Sequence, residues 1–355
     1  MIELSTADTR IGSMRSRARP LLLIAACFTS AAVSQTLPAQ WSAPVDRLPS
    51  TVQAPYALVS RPMLGERFIG VDVIALEPRT MRPISRSPTT LRCDRIHASA
   101  TGQLICFSNV SQGGSVQFTS PTSYWFSRDL EPLGHHANQG NGQPSRARIS
   151  TDGKFSATTE ITTGHSYVSA GTNTFSTSTI ITERDSKDGR SEDIQNWPVF
   201  NGGARVKAVD LNLWGVTFHP VETHRFYVTA FFDGKPYLAE GDVQTHRISV
   251  VRAGVECPSF SPDGLRLAFK KRTSSTTWSP AVLDLATMKE TDFDVGNSVD
   301  DQIEWLDGHT LIYEVARHPL IGVPTSDLMT LDLLESKPAQ HMWLAEARSA
   351  TFVRR

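Results

Sequence analysis

The 355-residue chain carries 35 basic and 36 acidic side chains, a near-balance that argues against a nucleic-acid binder and leaves no polybasic patch for a membrane surface. Only 20% of its residues are charged, and it is long enough to bury a large core, so one sizeable domain is expected after the N-terminal segment.

Residues 1–34 read as a leader peptide. Met14-Arg-Ser-Arg-Ala-Arg19 is a basic n-region, Pro20–Val33 is an apolar run too short to span a bilayer comfortably, and Ala32-Val-Ser34 before Gln35 suits a small-residue cleavage site. Met1–Ser13 adds nothing to this pattern, so Met14 is an alternative start. Cys27, in Ile24-Ala-Ala-Cys27, resembles the lipidated cysteine of a bacterial lipobox; acylation there is the alternative to ordinary cleavage. Residues 35–54 carry Pro38, Pro44 and Pro49 without periodicity and read as a tether. Residues 55–355 then form the globular part, with no membrane-spanning stretch in the mature chain.

From here one unit recurs. An apolar residue ends a strand, a tight turn follows, and a second short strand begins. Ile96-His-Ala-Ser-Ala-Thr-Gly102 precedes Gln103-Leu-Ile-Cys-Phe107 as a degenerate copy. Ile149 precedes Asp152-Gly153, Phe218 precedes a looser turn, His219-Pro-Val-Glu-Thr223, and Phe260 precedes Asp263-Gly264. Trp305 precedes Asp307-Gly308. In Ser261-Pro262-Asp263-Gly264 the proline presets φ, the aspartate caps its own backbone and the glycine accepts positive φ, while Leu265–Phe269 alternates as a half-buried strand does. Gly102 to Gly153 is 51 residues and Gly264 to Gly308 is 44, a period typical of propeller blades. Ala350-Thr-Phe-Val353 falls in the same register with no blade behind it, so its partners are expected within Tyr56–Leu76. The expected fold is all-β: a six-bladed β-propeller closed by both chain termini.

Between Ile149 and Phe218 lie 69 residues, and the surplus, Thr162–Thr174 and Asp185–Val209, reads as loops on one blade. Pro338–Arg348 is the best candidate for a short helix. Cys93 and Cys106 flank the degenerate turn, at facing positions of the expected hairpin; a disulfide between them suits an oxidising compartment, the other reading being two buried thiols. Cys257 is left as a small buried hydrophobe.

The Ser-Pro-Asp-Gly turn before an apolar strand, with Asp284 closing the next, resembles the WD-type repeats of TolB-like six-bladed propellers. Longer phrases resemble an exported bacterial subgroup: Arg146-Ala-Arg-Ile-Ser150, Gly164-His-Ser-Tyr167, Phe175-Ser-Thr177, Trp214-Gly-Val-Thr-Phe218, Glu256-Cys-Pro-Ser259, and Asp300-Asp-Gln302 with Glu304-Trp-Leu-Asp307. The resemblance implies that fold and an export route to the cell envelope or beyond, and no reaction.

The chain lacks a Gly-x-Ser-x-Gly elbow, a His-Glu-x-x-His, a phosphate loop and a Cys-x-x-Cys. Topology puts a site on the face where connectors enter the inner strands. Four residues before successive register marks stand Ser145, Trp214, Glu256 and Asp301, with Arg146 and Asp300 beside them; His165 and Tyr167 come from a loop on that face. Arg146, His165, Tyr167, Trp214, Glu256, Asp300 and Asp301 are therefore the candidate ligand-binding residues. Glu256 and Asp301 are the metal candidates, in an acidic ring open to a divalent cation; otherwise these carboxylates cap connector amides. His165 is a ligand or base, or a bonded loop histidine; Trp214 stacks a ligand or packs between blades. No catalytic residue and no resident cofactor is assigned. The expected protein is a non-catalytic, monomeric propeller binding a small molecule or an envelope protein. The alternatives are a metal-assisted hydrolase or lactonase at the acidic mouth and an envelope interaction scaffold.

Overall fold

The turn Ser261–Gly264 shows how the repeat builds itself. Ser261 Oγ donates to Asp263 Oδ1, which also accepts from Leu265 N at 3.0 Å; Arg266 N donates back to Ser261 Oγ at 3.0 Å. Gly264 takes the φ of 73° that lets the chain reverse. Ser150 and Asp152 repeat the arrangement, with Lys154 N donating to Asp152 Oδ1 at 3.0 Å and Phe155 N to Ser150 Oγ at 2.9 Å. Even the degenerate copy keeps the serine, since Gln103 N donates to Ser99 Oγ at 2.9 Å.

This computed structural model describes residues 48, 52–63, 68–112, 115–138, 140–164, 175–184, 190–299, 301–317 and 325–354. The expected leader, most of the tether, Cys27, His165, Tyr167 and Asp300 lie outside them. Of the expected tether, Leu48 and Val52 pack against the apolar layer between the first two blades.

The strands form six sheets. Blade 1 holds β1 (Tyr56–Pro62), β2 (Phe68–Leu76) and β3 (Pro83–Arg92). Blade 2 holds β4 (Arg95–Ala98), β5 (Leu104–Val110), β6 (Phe118–Phe126) and β7 (Pro132–Ala137). Blade 3 runs from β8 (Gln143–Ile149) through β9 (Phe155–Thr163) and β10 (Ser176–Glu183) to β11 (Ser191–Asp193). A hairpin of β12 (Val199–Asn201) and β13 (Ala204–Arg205) precedes blade 4, which holds β14 (Asn212–Phe218), β15 (Arg225–Phe232), β16 (Lys235–Asp242) and β17 (Arg247–Ala253). Blade 5 holds β18 (Glu256–Phe260), β19 (Arg266–Arg272), β20 (Trp278–Asp284) and β21 (Glu290–Asp292). In blade 6 come β22 (Glu304–Trp305), β23 (Thr310–Arg317), β24 (Thr325–Asp332) and β25 (Gln340–Leu344), and the chain returns in β26 (Arg348–Val353). That last strand pairs antiparallel with β1, Tyr56 opposite Val353 and Leu58 opposite Thr351, and so becomes the inner strand of blade 1. The fold is a six-bladed β-propeller, closed by joining the two ends of the propeller sequence.

Its core is a set of apolar layers between neighbouring blades rather than one central mass. Tyr56, Leu58 and Val73 meet Ile96, Leu104 and Phe126 between blades 1 and 2; Val282 meets Trp305, Leu311 and Tyr313 between blades 5 and 6. Inner strands also cap one another: Ala98 N donates to Thr351 Oγ1 (2.8 Å), Ile149 N to His97 Nδ1 (3.2 Å) and Phe260 N to Thr217 Oγ1 (3.3 Å).

Three local expectations differ from the structure. Of the segment 185–209, read as a loop, residues 191–193 complete blade 3. The next residues form a 3-10 turn (Ile194–Asn196) and the β12–β13 hairpin, with β12 running parallel to β17 at the outer edge of blade 4. Ile194, Trp197 and Val199, dispersed among polar residues, are its buried anchors between blades 3 and 4. The helix expected in Pro338–Arg348 is strand β25, because Trp343 packs edge-on against Phe352 (5.9 Å) and donates to Met81 O at 3.1 Å; tertiary contact overrides local propensity. Cys93 and Cys106 are bonded, but Ile96 is the residue that faces Cys106. The disulfide instead clamps the connector entering β4 to β5. No helix among the described residues is long and apolar enough to cross a membrane.

Candidate functional site

Inner strands present every second residue to the central channel. In blades 2, 3 and 6 they bring Arg95, Arg146, Arg148 and Glu304 to one wall, joined by Asp301 from the connector into β22 and by Ser349 of β26. Asp301 is the hub. Its Oδ1 lies 3.1 Å from Arg146 Nη1 and accepts from Gln302 N at 2.8 Å, and its Oδ2 accepts from Ser349 Oγ at 2.8 Å. Arg95 approaches Asp301 Oδ2 to 4.0 Å and donates to Ser145 O, which Arg146 Nη1 also reaches at 2.7 Å. Burial alone would push the Asp301 pKa up; the guanidiniums of Arg95, Arg146 and Arg348 outweigh it and hold the carboxyl well below the usual carboxylate range.

One step along the channel, Glu304 pairs with Arg148. Here burial wins: it pushes the Glu304 pKa up to about 7, against Arg148 and Arg354 and with a further push from Asp301. His97, buried beside Arg148 and Arg354, has its pKa lowered well below the ordinary value, burial being the larger cause, so its ring is neutral. The free space among these groups is about 20 Å³, room for about a single water.

The other sequence candidates stand elsewhere. Glu256 is buried and held within blade 5: Arg272 donates through Nε (2.8 Å) and Nη2 (3.2 Å) to its two oxygens, and Trp278 Nε1 donates to Oε1 at 3.0 Å. Lys270 Nζ lies 4.2 Å from the centre of the Trp278 ring, with the Arg272 guanidinium carbon 4.6 Å from the same ring. Trp214 packs among Ile161, Phe175, Phe231 and Cys257, edge-on to Phe175 at 5.9 Å and stacked on Phe231 at 5.9 Å. Arg146 and Asp301 are thus brought together, while Glu256 and Trp214 belong to separate clusters; no hydrogen bond or ion pair among the described residues joins Glu256 to Asp301. Nor does any group of three His, Cys, Asp or Glu side chains among the described residues stand close enough to hold a metal ion.

The offset of four residues singled out Asp301 and passed over Arg95, Arg148 and Glu304. Each of those stands directly before a register mark, and the two-residue period of a strand is the signal that finds them.

No protein-family model and no curated protein matches the sequence. Several solved structures resemble it. TolB from Acinetobacter baumannii superposes with a TM-score of 0.56 at 14% identity, over 85% of this chain and 67% of that one. A nidogen/laminin complex gives 0.55 at 12% identity, over 84% and 98%. A protein assigned as TolB from Agrobacterium tumefaciens gives 0.51 at 10% identity, over 83% and 90%. At such identities the likeness is one of fold: this chain is a six-bladed β-propeller, similar in architecture to the TolB structures.

Proposed function

We propose that the protein is an exported, non-catalytic propeller that binds a protein partner on the face where connectors enter the inner strands. One observation carries the reading. The two candidate carboxylates are already matched by arginines, Asp301 by Arg146 and Glu256 by Arg272, and about 20 Å³ remains among the charged groups around Asp301. With so little room among these groups, recognition falls to exposed residues of the same face, such as Ser275 and Asn297, which suits a macromolecule. The fold supports the same reading, since one similar structure is a complex of nidogen with laminin. Export is supported by the Cys93–Cys106 disulfide, a bond that persists in oxidising compartments, and by the leader read from the sequence. The metal-assisted alternative needs Glu256 and Asp301 to share a cation, and their separate arginine partners disfavour it.

Site-specific photo-crosslinking in the native envelope tests the proposal. A photoreactive residue at exposed Ser115, Ser275 or Asn297, on the proposed face, should give a discrete adduct. Asp152 and Lys289, exposed on the opposite face, should give none. Adducts only from the second pair, or from neither set, would overturn it.

A further inference from the structure

Blade 4 departs from the repeat at its turn, and the departure opens a cleft. Where blades 3, 5 and 6 use aspartate, His219 takes the capping role: Val221 N and Glu222 N donate to its Nδ1 at 3.2 and 3.0 Å. A ring that accepts at Nδ1 carries its proton on Nε2. On one side the turn is tied to blade 3, by Thr151 Oγ1 donating to Pro220 O (2.7 Å) and Thr223 Oγ1 to Asp152 Oδ2 (2.7 Å). Its other side faces blade 5 across a cleft of about 190 Å³. This site lies on the face away from the channel mouth and is independent of the reading above.

Three rings wall the cleft. Phe260 meets His219 edge-on at 5.2 Å and Tyr227 at 5.3 Å, with Leu285 beside them. Glu240 is the direct cross-strand partner of Tyr227, so carboxylate and phenol stand side by side. Arg225 braces the rim, donating to Glu222 Oε2 at 2.6 Å and to Glu240 Oε1. Three polar atoms at the cleft are left without a hydrogen bond to the described residues: His219 Nε2–H, a donor; the Tyr227 hydroxyl, a donor and acceptor; and Glu240 Oε2, an acceptor.

We propose that this cleft binds one hydroxylated ring of a saccharide. Charge decides against the alternatives. Glu222 and Glu240 outnumber Arg225 at the rim and repel an anion, while both carboxylates are already engaged by Arg225 and the His219 Nε2–H donor needs an acceptor that an organic cation does not bring. A neutral ring with hydroxyls on its edge and C–H groups on its faces meets donors, acceptors and aromatic walls together. The volume is below the roughly 300–1,000 Å³ of a drug-sized pocket, which is the scale of one ring.

Saturation-transfer NMR on the full chain tests it, with the methyl glycosides of glucose, galactose, mannose and N-acetylglucosamine and with oligosaccharides ending in the same units. Ring protons of at least one sugar should be saturated. Glu240→Gln and Tyr227→Phe, both chosen to keep the fold and checked by melting temperature, should each weaken binding about tenfold. A stronger signal from the oligosaccharide marks a terminal glycan unit as the ligand, and equal signals mark a free sugar. Silence from every sugar, signals unaltered by both variants, or saturation of N-acetyltyrosinamide while sugars stay silent would each overturn the proposal.

Discussion

The two halves of the ring solve the same geometric problem differently. Where blades 2, 3 and 6 meet the channel, the inner strands hold Arg95, Arg146, Arg148 and Glu304, and Asp301 binds three strands into one ionic network. In blades 4 and 5 the equivalent positions are Thr217 and Ser259, preceded by Gly215 and Cys257, and the charged residue of that half, Glu256, is satisfied inside its own blade. Equivalent register assigns a place on the ring; it does not bring equivalent side chains together. Small residues let inner strands approach, as Gly215 does with the Cys257 backbone, where a Cβ would stand 3.0 Å from Cys257 Cα. Long charged ones span the gap on the other side.

The largest test of this contrast removes the strand that serves the ionic half. Deleting residues 349–355 takes away Ser349, the Arg354 neighbour of Glu304, and the buried Phe352 and Val353. Burial of those two apolar side chains alone is worth about 3–6 kcal/mol, comparable with the whole stability of many domains, and the deletion also bares the edge of β1. The truncated chain should melt far lower or fail to fold, and an unchanged melting temperature would break the closure.

Next comes Asp301→Asn, which leaves buried arginines facing an uncharged amide. A loss of about 3–5 kcal/mol in urea unfolding is expected. A loss below about 1 kcal/mol would mean that Asp301 is not the hub of the network.

The two carboxylates of this half also oppose each other in pH dependence. Asp301, with its folded pKa lowered, contributes stability above the unfolded carboxylate pKa, and this is lost only as pH falls into strong acid. Glu304 has its pKa raised from 4.5 to about 7, so the folded state holds its proton more tightly than the unfolded chain does. That contribution is full below the unfolded pKa and disappears as pH rises through about 7. Glu304→Gln should therefore gain melting temperature on wild type between about pH 5 and pH 8, and parallel profiles would contradict the assignment.

The smallest effect belongs to the other half. Glu256→Gln keeps an acceptor for Trp278 and leaves Arg272 with partial access to water, so about 1 kcal/mol is expected. A cost equal to that of Asp301→Asn, read on the same urea scale, would erase the contrast between the halves.

Much of the fold was legible because its signals are local. Asp263-Gly264 and Asp307-Gly308 mark blades by turn chemistry, and Ala350–Val353 announces closure by register alone. The β12–β13 hairpin was hidden, since Ile194, Trp197 and Val199 acquire meaning only when blade 4 covers them. The site was legible in part. Arg146 and Asp301 do meet, whereas the partners of Glu256 and Trp214 come from Arg272 and Phe231, on the next strand of each one's blade. His219 stood out as a break in the repeat, but the cleft beside it depends on Phe260 and Tyr227, which no local pattern connects to it.

Pairing Tyr56 with Val353 also sets a clock. The two partners lie roughly 300 residues apart, so the contact that completes the ring carries nearly the longest loop-closure entropy the chain can offer. During synthesis β1 emerges early and must wait, its inner edge unpaired, while five further blades are made. Until residue 353 arrives the blades form an open arc, without the geometric constraint that holds Arg95 and Ser349 against Asp301. The ionic wall and the circle are therefore coupled: Ser349 reaches Asp301 only when β26 lies against β1.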